Sequence, residues 1–146
     1  MDGSASFFIE IAAEGDGSVF VEVFGTDGQF GGFSEAWVGH QELERFGSHL
    51  LNYPLRSPVA LEVGRSSADE EFRDVRLSVR QVSGAGQVAM RVQLEGDVAG
   101  AALPSARNRC VFEYFTTYAD LARFAEALLL ALRSGNGRAD LRWERF

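Results

Sequence analysis

WVGHQELERFGSHLL, residues 37–51, returns 78 residues later as FTTYADLARFAEALL, residues 115–129. The residues that recur are Leu43, Arg45, Phe46, Leu50 and Leu51, matched by Leu121, Arg123, Phe124, Leu128 and Leu129. In both copies a strand-like segment with an aromatic residue runs into an amphipathic helical pattern. Such an internal repeat predicts a duplicated architecture, with the shared Leu and Phe in the core and Arg45 and Arg123 on the helix surfaces.

Each copy belongs to a longer pattern of three strands, a helix and a fourth strand. Alternating apolar residues and helical spacing predict these elements in the first half: strands 7–13, 18–25 and 29–38, a helix from about 40 to 52, and a strand 59–63. The second half repeats them: strands 75–82, 87–94 and 108–116, a helix that begins near Thr117 and ends at 134–137, and a strand 139–144. Gly31 and Gly32 indicate a bulge or bend in the third strand.

We therefore predict one α+β domain spanning residues 1–146, as the length suggests. It has a largely antiparallel sheet of about eight strands, with two helices on one face. The pseudo-duplicated βββαβ halves are residues 1–65 and 73–146, joined by an acidic connector at 66–72.

The composition favours a basic protein as partner. The 21 acidic and 14 basic residues give a net charge of -7, which repels nucleic acid and anionic lipid and attracts basic proteins. Acidity that serves only to keep the protein soluble is the alternative. All fourteen basic residues are arginine, which we interpret as the codon bias of a GC-rich bacterial genome. The N-terminal residues lack a signal-peptide pattern and no apolar run could span a bilayer, so we expect a cytoplasmic protein.

The sequence predicts no catalytic residue, no cofactor and no metal site. His40 and His49 project to opposite sides of one helix, and Cys110 is the single cysteine, expected to be a buried, inert thiol. Serine, cysteine and glycine residues lack the motif contexts of a nucleophile elbow, P-loop or dinucleotide fingerprint. The acidic run within 66–72 lacks the spacing of a calcium loop.

Aromatic residues crowd the first half of the chain. Alternation cannot turn Phe20 and Val21 to the same side of a strand, so some rings face outward. An aromatic patch rimmed by Glu10, Glu22 and Glu35 would be a candidate protein-binding surface. A sheet curled enough to bury both rows, or two copies dimerised through the patch, are the alternatives. The predicted partner-binding residues are Glu10, Phe20, Glu22, Phe24, Asp69, Glu70 and Glu71.

Nearly the whole chain resembles the WapI-type immunity proteins and related small bacterial families. The similarity is carried by residues 41–51, 59–63, 75–82, 87–94 and 118–128. It implies an acidic intracellular binder that neutralises a toxin domain, and it transfers no family site residues. We expect a non-enzymatic protein-binding module that occludes a basic toxin. A structural or regulatory homodimer is the alternative, and an enzyme with an unrecognised site is disfavoured by the scarcity of histidine and cysteine.

Overall fold

The computed structural model describes residues 6–64, 75–97 and 107–143, so the predicted acidic connector lies outside the described residues. The described elements are β1 (Ser6–Ala13), β2 (Ser18–Thr26), β3 (Gly31–Gly39), α1 (His40–Leu50), β4 (Val59–Val63), β5 (Val75–Gln81), β6 (Gln87–Asp97), β7 (Arg107–Thr117), α2 (Tyr118–Ser134) and β8 (Asn136–Leu141). The predicted α+β class, with two helices and eight antiparallel strands, is confirmed.

The strands form two four-stranded sheets and not one continuous sheet. Their orders are β3-β2-β1-β8 in the first sheet and β4-β5-β6-β7 in the second. Each half therefore gives three strands to one sheet and its last strand to the other. Two sheets that enclose a common core with the helices bury more apolar surface than two helices could cover on one broad sheet. Buried Leu55, in the connection between α1 and β4, donates its backbone N–H to Tyr118 Oη at 2.9 Å, which joins the two halves.

The strand registers follow the same repeat as the sequence. Val21 pairs with Ala36 in the first sheet, while Met90 pairs with Tyr114 in the second. These partners are displaced by 69 and 78 residues, which are also the displacements of the second hairpin and the second helix. The two sheets are thus equivalent residue by residue, and a position in one has a defined counterpart in the other.

The core lies between the inner faces of the sheets and the two helices. Inward-facing residues of the central strands are fully or almost fully buried in both sheets: Phe7, Ile9, Ile11, Val19, Val21, Val23, Val75, Leu77, Val79, Val88, Met90 and Val92. The predicted helix stripes are buried as well: Leu43, Phe46, Leu50, Leu121, Phe124, Leu128 and Leu132. Arg45 and Arg123 are exposed, as predicted. The helices contact each other, and α2 also packs on β1 and β8.

The prediction of a bulge or bend at Gly31 and Gly32 was wrong. Both glycines continue the regular pairing of β3 with β2, where Gly32 stands opposite Gly25. A Cβ atom on Gly32 would lie 2.2 Å from Cys110 Sγ. Glycine is needed here because β7 approaches the backbone of β3 closely.

The termini of α2 explain a second difference. Thr117 Oγ1 accepts the backbone N–H of Asp120 at 3.1 Å, so the predicted N-cap is confirmed. Gly135 ends the helix in the left-handed conformation, with φ of 93°. The chain then enters β8 at Asn136, three residues before the predicted start at Ala139, because one glycine suffices for the turn.

Candidate protein-binding face

The outward side of the first sheet carries three parallel rows of side chains. An aromatic residue, a glutamate and a second aromatic residue occupy alternate positions in FVEVF, residues 20–24, and in FSEAW, residues 33–37. FIEI, residues 8–11, repeats the first two of these positions on β1. The register aligns the glutamates in one row across three strands, with an aromatic row on each side. We call this surface the glutamate–aromatic face; its members are Phe8, Glu10, Phe20, Glu22, Phe24, Phe33, Glu35 and Trp37.

The glutamate row brings like charges together. Glu22 stands directly opposite Glu10 on one side and Glu35 on the other, and within the described parts of the chain none of the three forms an ion pair. Arg138 continues the row opposite Glu10, but its Nη2 lies 2.9 Å from Asp140 Oδ1. Because like charges directly opposite each other on a sheet are destabilising, this row costs stability in the isolated protein.

The aromatic rows are partly open to solvent. The rings of Phe8 and Phe24 stack with centroids 5.4 Å apart, and those of Phe20 and Trp37 tilt at 5.0 Å. Phe33 is 52% exposed and Trp37 is 55% exposed. Large exposed aromatic side chains grouped on one surface are typical of protein-binding sites.

The equivalent positions of the second sheet have compensated charge. Arg91 is the counterpart of Glu22, and Glu113 is the counterpart of Glu35. Glu113 Oε1 lies 2.6 Å from Arg80 Nη2, and its Oε2 lies 3.9 Å from Arg91 Nη1. The same backbone arrangement therefore supports a charge-paired face, and the uncompensated row is particular to the first sheet.

Four of the predicted partner-binding residues come together on this face: Glu10, Phe20, Glu22 and Phe24. The other three, at 69–71, lie outside the described residues. The sequence interpretation placed the glutamates around an aromatic patch, whereas the structure places them between two aromatic rows. Phe33 and Trp37 were not among the predicted residues. The repeated pattern of aromatic, glutamate and aromatic at alternate positions could have identified them.

A cavity of about 400 Å³ at one end of β3 contains the most buried carboxyl group of the described residues. Glu95 Oε1 accepts the Nε–H of Arg109 at 2.6 Å, and its Oε2 has no hydrogen-bond partner. The Ser34 hydroxyl donates to the backbone oxygen of Glu95 at 2.8 Å and so connects the two sheets. Burial raises the pKa of the Cys110 thiol in the same cavity, so this thiol stays protonated at neutral pH.

The histidines do not come together at a catalytic or metal site. His40 begins α1, and exposed His49 lies in its last turn beside a wide cavity of about 570 Å³. The described residues that line this cavity include Arg56 but no carboxylate. Within residues 6–64, 75–97 and 107–143, no three His, Cys, Asp or Glu side chains are grouped to hold a metal ion.

Comparison with known proteins gives no relative from which a function could be transferred. The chain matches no family model, no curated protein and no solved structure. Neither described helix has the length and apolar character needed to cross a membrane. The function is therefore inferred from the surface chemistry of the chain itself.

Proposed function

We propose that this protein is a non-enzymatic, cytoplasmic binding module whose glutamate–aromatic face engages a basic partner protein. One observation carries the proposal: three glutamates without ion-pair partners among the described residues stand in a row between two aromatic rows. A basic partner would relieve the repulsion within the row and cover the exposed rings. Its binding would also be accelerated by the net charge of -7.

The biological role that fits this chemistry best is immunity against a toxin. A toxin domain that acts on an anionic substrate carries a basic surface, and an acidic face that covers this surface blocks access of the substrate. The resemblance to WapI-type immunity proteins supports the same role. In this mechanism the face acts by occlusion, so it needs no catalytic group of its own.

A homodimer formed through the same face is the alternative, and the charge distribution disfavours it. A two-fold contact would lay the glutamate row of one copy against the row of the other. Without a cation between them, the two rows would repel each other at neutral pH. We therefore expect a monomer in size-exclusion chromatography with light scattering; a stable dimer that Trp37→Glu dissociates would favour the homodimer function.

Affinity capture from the native host tests the proposal when two variants of equal charge are compared. The face variant carries glutamine at the three glutamates of the row. The control variant has the same substitution at three exposed helix residues, Glu42, Glu44 and Glu126. We expect the wild type and the control to retain a basic protein that the face variant loses. Retention of the same proteins by all three would contradict a role of this face.

The immunity role is tested by expressing the captured protein in bacteria. If that protein is a toxin, it arrests growth, and co-expression of the wild type or the control restores growth. The face variant, expressed at the same level, should not restore it. A captured protein that is harmless when expressed alone would contradict immunity while leaving the binding function intact.

A further inference from the structure

Arg138 shows how the glutamate–aromatic face holds a cation. Its guanidinium carbon lies 3.7 Å from the centroid of the Phe8 ring. The same group donates to Asp140 Oδ1 from Nε at 3.1 Å and from Nη2 at 2.9 Å. The register places Arg138 opposite Glu10 and Asp140 opposite Phe8, so the cation sits at the end of the glutamate row. It is stacked on a ring and bound by a carboxylate at the same time.

The other two strands of the face present rings and carboxylates to which no arginine of the described residues is bound. On β2, Glu22 lies two residues from Phe20 and two from Phe24, which is about 7 Å along a strand in each direction. On β3, Glu35 has the same relation to Phe33 and Trp37. Both β3 rings are more than half exposed, so their surfaces are accessible.

We infer that the partner of this face binds through arginine side chains in preference to lysine, each stacked on a ring and paired with a glutamate. This inference rests on the proposed function. A guanidinium group is planar, stacks on aromatic rings and binds a carboxylate through two donors. An ammonium group is a strongly hydrated point charge that pairs with carboxylates but has no planar surface to stack. The face therefore distinguishes the two cations by its rings.

The composition of the chain agrees with this preference. All fourteen of its basic residues are arginine. The codon bias that we infer from this composition would also place arginine in a partner encoded by the same genome.

Calorimetric titration with two capped peptides of equal length and charge tests the inference. One peptide alternates glycine with arginine, and the other alternates glycine with lysine. At low ionic strength we expect the arginine peptide to bind roughly tenfold more tightly, since two ring contacts at exposed sites together give about that factor. Both affinities should fall as salt is added.

The substitution Trp37→Leu separates ring stacking from charge because it leaves all three glutamates in place. The arginine peptide should lose most of its advantage on this variant, while the lysine peptide binds as before. Phe115→Leu is the matched control, since Phe115 is the counterpart of Trp37 in the second sheet, and it should change neither affinity. If Trp37→Leu does not fold, Phe33→Leu takes its place, because Phe33 is similarly exposed.

The outcomes distinguish this inference from the function on which it rests. Equal binding of the two peptides to the wild type would overturn the arginine preference and leave the basic-partner function standing. An arginine preference that survives both ring substitutions would overturn the stacking mechanism. Binding of neither peptide would count against the proposed function as well as the inference.

Discussion

Replacing Glu22 by glutamine should stabilise the free protein. Glutamine keeps the shape of the side chain and removes the charge that faces Glu10 and Glu35 across the sheet. Cross-strand pairs of charged residues contribute roughly 0.2–1 kcal/mol each, and like charges do so unfavourably. Relief of two such pairs should raise the free energy of unfolding by about 1 kcal/mol. For a chain of this length that corresponds to a rise in melting temperature of about 3 °C.

The matched substitution Glu113→Gln should have the opposite effect. Glu113 is the counterpart of Glu35 in the second sheet, but it lies 2.6 Å from Arg80 and 3.9 Å from Arg91. Loss of these partly exposed ion pairs should lower the free energy of unfolding by about 0.5 kcal/mol. The two variants change net charge equally, so their opposite signs would come from local pairing alone.

Urea denaturation at low and high ionic strength measures both changes. In 1 M salt the screening length falls to about 3 Å, so both differences from the wild type should shrink toward zero. A Glu22→Gln variant no more stable than the wild type at low salt would refute the reasoning. So would a gain that is the same at both salt concentrations, because repulsion between exposed charges must be screened. The same variant should bind the basic partner more weakly, so that stability and binding change in opposite directions.

Three further predictions concern the contact between the sheets, the thiol and the helix caps. Gly32→Ala should destabilise the fold by about 2 kcal/mol in urea denaturation because its Cβ would meet Cys110 Sγ at 2.2 Å. The cost should largely disappear in a Cys110→Ala background, and a cost that persisted there would contradict the assigned contact. Because burial raises the pKa of the Cys110 thiol, alkylation of the folded protein at pH 8 should be slower than that of the urea-unfolded chain, with the ratio falling at higher pH; equal rates at pH 8 would argue against burial. Thr117→Ala should cost about 1 kcal/mol through loss of the N-cap, whereas Gly39→Ser, at the equivalent N-cap of α1, should gain a few tenths of a kcal/mol; thermal unfolding followed by circular dichroism measures both, and an unchanged Thr117→Ala variant would show that the cap contributes nothing.

The sequence predicted the elements well because their signals are local. Helical spacing located the stripe that begins at Leu43, and alternation placed Val21 inside and Phe20 outside. The exchange of β4 and β8 between two sheets has no local signal, since it depends on where each helix delivers the chain. Gly32 was misinterpreted for the same reason: the atom that requires a glycine there belongs to Cys110, 78 residues away.

The candidate face was predictable only in part. Composition and alternation indicated outward rings with acidic residues nearby, but the alignment of three glutamates in one row is a property of register. A shift by one residue would turn their strand to the other face, and a shift by two would pair a glutamate with a ring. The repeated motif at residues 20–24 and 33–37 could have indicated the row, provided that the two strands were paired around the turn that joins them.

The comparison of the two sheets gives the strongest reason to assign a function to the first. Inward positions are apolar in both, since close packing constrains both halves alike. Outward positions are not constrained in this way, and there Glu22 has an arginine, Arg91, as its counterpart. If the outer face had only to meet solvent, charge pairing of the kind made by Glu113 would serve the first sheet equally well. An arrangement that lowers stability where the same fold offers a compensated one is expected at functional sites, which depart from local stability rules. The uncompensated row is therefore where a partner should bind, and the gain in stability predicted for Glu22→Gln measures what the free protein gives up to keep that site.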